Sequence, residues 1–143
     1  MKNKENDYLI SDNDKEVLNL LYTQHAADII VIIADILSYI STIESINLVY
    51  SKYNLSNIIH NPDIPAVNSS ILLFFARSIY TKISIIRYNN LIIQKENGEF
   101  NYSLEPDSQI IFSNILDLLS YYYRIIGSIG IYNRDINQPV FGF

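Results

Sequence analysis

From Asp14 to Tyr53 apolar residues recur at helical spacing, with no Pro or Gly to interrupt them. This predicts a first helix opened by Asp14 as N-cap. At 100° per residue, Gln24, Asp28, Asp35, Ser38, Thr42 and Ser45 share one narrow stripe, while Ile29, Ile33, Ile36, Leu37, Ile40, Ile43 and Ile46 spread over most of the rest. A helix apolar over so much of its circumference is expected to be nearly surrounded by protein. About forty residues of helix would reach about 60 Å, so a break around Ser41 to Ser45, or an end projecting into a partner, is also expected.

Asn54 to Asn68 reads as a connection, punctuated by Asn61-Pro62-Asp63 and Ile64-Pro65, with room for a short helix at 55–60. A second helix is predicted from the capping residues Asn68, Ser69 and Ser70 to about Asn90. Its apolar line is Leu72, Phe75, Ile79, Ile83 and Ile86, opposite a line containing Arg77, Thr81, Ser84 and Tyr88. Asn97-Gly98 then allows two readings, a helix C-terminus with left-handed Gly98 or the turn of a β-hairpin over 91–104. Glu105-Pro106-Asp107 starts a third helix, predicted to run to about Ile126 and to be ended by Gly127 and Gly130. The remaining tail, Ile131 to Phe143, carries Tyr132, Val140, Phe141 and Phe143, and is expected to dock on the bundle or a neighbour.

The expected fold is therefore an all-α antiparallel bundle of three main helices with an apolar C-terminal tail. Residues 1–13 form a polar segment and 14–143 a single helical domain. Ile33, Ile36, Ile40, Ile79, Ile83, Ile115 and Leu119 are the expected core.

Composition narrows the function classes more than it names one. With 143 residues, 49% hydrophobic and a mean hydropathy of +0.11, the chain can bury one core. Ten basic against 15 acidic residues, net −5, argue against a nucleic-acid surface built from clustered Lys and Arg. The longest apolar stretches, Ile29 to Ile43 and Ile110 to Ile126, are interrupted by Asp35 and Asp117. Both fall short of the run of roughly 18 residues a membrane span needs, so core helices are expected rather than spans. The first residues lack the pattern of a secretory signal, which makes a cytoplasmic location the default expectation.

Candidate chemistry is sparse. His25 and Asp28 stand one turn apart with Asp35 two turns on. This could offer a metal one nitrogen and two oxygens, but the Glu-x-x-His pairs of di-metal bundles are absent and there is no Cys. No metal or other cofactor is expected. None of the nucleophile-elbow, phosphate-loop, dinucleotide or zinc-protease motifs occurs, so no catalytic residue is assigned and the protein is expected not to be an enzyme.

Asp28, Asp35 and Asp117, with Arg77, Arg87 and Arg124, sit inside apolar helices, where an unpaired charge is costly. They either form inter-helix pairs that fix register or mark a solvent stripe. Tyr121, Tyr122 and Tyr123 point around more than half the helix, so at least one must meet solvent, tail or partner. With Phe141 and Phe143 they are the interaction candidates.

The expected function is a non-catalytic interaction or structural module that self-associates through apolar helix faces. The alternatives are a sensor-like helical domain taking a small apolar ligand such as a fatty acid, and a small inhibitory or immunity protein.

Overall fold

The computed structural model describes residues 12–53, 61–99 and 101–137. Among them lie three helices, α1 (Asp12–Ser51), α2 (Asp63–Glu96) and α3 (Glu105–Asn137). α1 is continuous through Ser41 to Ser45, where Ser45 Oγ donates to the Ser41 carbonyl at 2.9 Å and Thr42 Oγ1 to the Ser38 carbonyl at 3.1 Å. Hydroxyls satisfied by the preceding turn leave the helical ladder intact.

α2 begins at Asp63, a turn earlier than the Asn68 start. The Asn61 side chain accepts the Asp63 N–H at 2.9 Å, and Pro65 falls in the first turn, where a missing N–H costs nothing. At its far end Glu99 N–H donates to the Gln94 carbonyl at 2.9 Å and Gly98 N–H to the Lys95 carbonyl at 3.1 Å, with Gly98 at φ 76°. This is a Schellman stop, in which only a residue without Cβ adopts the left-handed conformation cheaply. The hairpin reading of 91–104 is thereby corrected: residues 91–96 are the last turns of α2, and the described residues contain no strand.

α3 also departs from expectation. It passes through Gly127 and Gly130 and continues to Asn137, so the first half of the expected tail is helix. Each glycine costs a helix about 1 kcal/mol relative to Ala. Even so, the helix face turned toward α2 continues past Gly127, with Ser128 Oγ 3.5 Å from Ser70 Oγ. Tertiary packing outweighs the local stop signal. The short helix expected at 55–60, the polar segment before residue 12, and Phe141 and Phe143 lie outside the described residues.

The helices run up, down and up. Glu16 meets Asn90, Gln24 meets Arg87 and Asp28 meets Tyr80, while Ser70, Arg77 and Ser84 of α2 face Ser128, Asp117 and Asn114 of α3. α2 is the central element. Both other helices pack on it, and α1 and α3 make no close backbone approach to one another.

What is buried is small. The apolar core is Ala27, Ala34, Leu73, Ala76 and Ile83, joined by Ser69, Ser70 and Thr81. Small residues let helix backbones approach closely, and the buried hydroxyls of Ser70 and Thr81 donate to the Ala66 and Arg77 carbonyls at 2.9 and 2.8 Å. Of the expected core residues only Ile83 is buried; Ile79 is half-buried, and Ile33, Ile36, Ile40, Ile115 and Leu119 are exposed. α1 is thus not surrounded by the described residues: its large side chains point away from α2.

Candidate functional site

Two features follow from this inverted arrangement. One is a polar network at the helix contacts, and the other is an apolar seam on the outside of α1.

The network crosses all three helices. Tyr80 of α2 donates its hydroxyl to Asp28 of α1. Burial, the Asp28 hydrogen bond and the Asp28 charge together push the Tyr80 hydroxyl up to about 12, with Arg77 opposing. The Arg77 guanidinium carbon lies 5.6 Å from the Tyr80 ring centroid and 5.8 Å from that of Tyr121, whose ring is also 5.9 Å from the Arg124 guanidinium. Arg77 Nη1 stands 3.5 Å from Asp117 Oδ2 of α3. Its Nε is buried and has no acceptor. Nearer the N-terminus of α1, Arg87 donates to Gln24 at 2.9 Å, and Asn114 donates to Ser84 at 3.1 Å.

Because α1 and α3 do not meet, a groove of about 380 Å³ opens between them over α2. Gln24, Asp28 and Val31 form one wall, and Asp107, Ile110 and Asn114 the other. Arg77, Tyr80, Ile83, Ser84 and Arg87 form the floor.

Of the charges picked out in the sequence, Arg77 and Asp117 form an ion pair between helices. Asp28 is engaged by a tyrosine and Arg87 by a glutamine rather than by opposite charges. Asp35 is exposed, and Arg124 is exposed beside Tyr121. His25 is exposed, and no three metal-ligating side chains gather among the described residues. The tyrosine triplet divides: Tyr121 faces the arginines, while Tyr122 and Tyr123 stack edge-on at 5.8 Å between centroids and are exposed.

The seam was missed by reading at 100° per residue. Counted instead in alternating steps of four and three, Leu18, Tyr22, His25, Ile29, Ile32, Ile36, Tyr39, Ile43, Ile46 and Tyr50 form one unbroken line, and every member is exposed. Ile32, Ile36 and Tyr39 at its centre keep 58%, 53% and 67% of their surface. Such 3–4 spacing is the heptad pattern of helices that pack side by side. The opposite face carries a second line at the same spacing, Gln24, Ala27, Val31, Ala34, Ser38, Ser41, Ser45 and Leu48, every residue of which is buried or half-buried. The signal was present in the sequence as two antiphase heptad lines, one large and one small.

Compared with protein families, curated proteins and solved structures, the chain matches none.

Proposed function

We propose that the protein is a non-catalytic assembly module that pairs with a second copy of itself through the outer seam of α1. The observation that carries this is the unbroken exposed heptad line from Leu18 to Tyr50. Burying a large aliphatic side chain contributes about 1.5–3 kcal/mol, so a line of this length left in water forgoes a driving force comparable to that of stable protein interfaces. In a parallel pair Asp35, which flanks the seam, lies beside Ile40 of the other copy. An antiparallel pair centred on Ile36 would instead bring two Asp35 carboxylates together.

A bilayer is the competing cover, since α1 and α2 are long and apolar enough to cross one. The geometry favours protein. α1 has 40 residues, about 60 Å of helix, against a hydrocarbon core of about 30 Å. Exposed Asp35 stands beside the middle of the apolar line, where lipid would exact about 2.5–3.5 kcal/mol for its charge. Most of the inter-helix polar groups pair with one another, a structural role that needs no substrate.

Sedimentation of the full chain in detergent-free buffer tests the proposal. A dimer at micromolar concentration that becomes monomeric on Ile36→Asp supports it. A monodisperse monomer, or a protein soluble only in detergent, would overturn it.

A further inference from the structure

The groove between α1 and α3 has chemistry of its own. Its lining places two guanidiniums, Arg77 and Arg87, with two carboxylates, Asp28 and Asp107, and three aliphatic side chains, Val31, Ile83 and Ile110. A simple anion there would face Asp28 and Asp107, and a simple cation would face both arginines. A molecule bearing both charges meets an opposite partner at each. The Arg77 side chain keeps 31% of its surface, so its guanidinium can meet an incoming carboxylate beside its pair with Asp117. The volume, about 380 Å³, is at the small end of ligand sites.

We propose that this groove binds a small zwitterion, a free amino acid or dipeptide with an apolar side chain. Its carboxylate lies toward the arginines, its ammonium toward Asp28 and Asp107, and its side chain against Val31, Ile83 and Ile110. The site stands apart from the outer seam of α1, so it does not depend on self-association.

Calorimetric titration of the full chain with the set of free amino acids and with L-leucyl-L-leucine tests it, using N-acetyl-L-phenylalaninamide as the uncharged control. At least one zwitterion with an apolar side chain should bind saturably while the control does not. Arg87→Gln, at an exposed position, and Asp107→Asn, at a half-buried one in the first turn of α3, should each weaken binding about tenfold, the loss of one charge-assisted bond, with unchanged melting. Absence of binding by every zwitterion would overturn the proposal. Equal binding of the uncharged control, or undiminished affinity in both variants, would overturn it too. None of these outcomes alters the sedimentation result expected of the seam.

Discussion

The two faces of α1 differ in size of side chain more than in polarity. Toward α2 the helix presents Ala27, Ala34, Ser38, Ser41 and Ser45, and away from it Ile29, Ile32, Ile36, Ile43 and Ile46. The small face permits close backbone approach within the chain. Among the described residues nothing covers the large face. In a water-soluble monomer these roles would be reversed, with isoleucines inside and serines outside. The contrast teaches that the contact with α2 uses one line of α1 and leaves the line of large side chains free for the association proposed above.

Several substitutions bear on that contrast, and the largest effect should come from the inner face. Ala34→Leu forces a larger side chain between α1 and α2 and should cost about 1–3 kcal/mol in thermal unfolding. Ile36→Ala, measured at concentrations where the chain is monomeric, should stay within about 0.5 kcal/mol, as an exposed site does. If the two costs were reversed, the assignment of faces would be wrong.

The outside of α3 offers the opposite experiment. A Cβ added at Gly127 or Gly130 meets nothing within 4 Å. Gly→Ala at either position should therefore stabilise by about 0.5–1 kcal/mol, read as a raised melting temperature. A lowered one would reveal a packed surface there.

A smaller loss is expected at the α2–α3 contact. Arg77 and Asp117 keep 31% and 43% of their side-chain surface, so solvent screens the pair, and Arg77→Met should cost about 1 kcal/mol or less. That loss should shrink in high salt.

A further effect is confined to alkaline pH. Tyr80 ionises at about 12 in the folded chain against an ordinary value of about 10. Raised in the folded state, it lends stability that is complete below pH about 10 and disappears as pH rises through about 12. Tyr80→Phe should remove this alkaline component of the unfolding curve, monitored by circular dichroism. A curve unchanged between those limits would contradict the Asp28 contact.

The number, order and antiparallel run of the helices were legible in the sequence because punctuation is local. Asn61-Pro62, Asn97-Gly98 and Pro106 each mark an end by their own backbone preference. That Arg77 and Asp117 must reach an opposite charge or water was legible, because charges inside apolar helices are costly unpaired; which of the two each would meet was not. Orientation of the faces was not. The apolar surface of α1 is so wide that a 100° projection marks only the polar stripe, and Gln24, Ser38 and Ser45 on that stripe turn out to face α2 rather than water. The end of α3 was misplaced for a related reason: glycine propensity is worth about 1 kcal/mol, less than the packing that carries the helix past Gly127.

The absence of cysteine makes the central claim directly measurable, because one introduced thiol has no rival in the chain. Ile36→Cys places it in the middle of the outer seam and Ser38→Cys on the inner face. Under mild oxidation in detergent-free buffer, the account predicts a disulfide-linked dimer from Ile36→Cys and none from Ser38→Cys. A monomer from Ile36→Cys, or equal cross-linking at both positions, would contradict pairing through the outer face of α1.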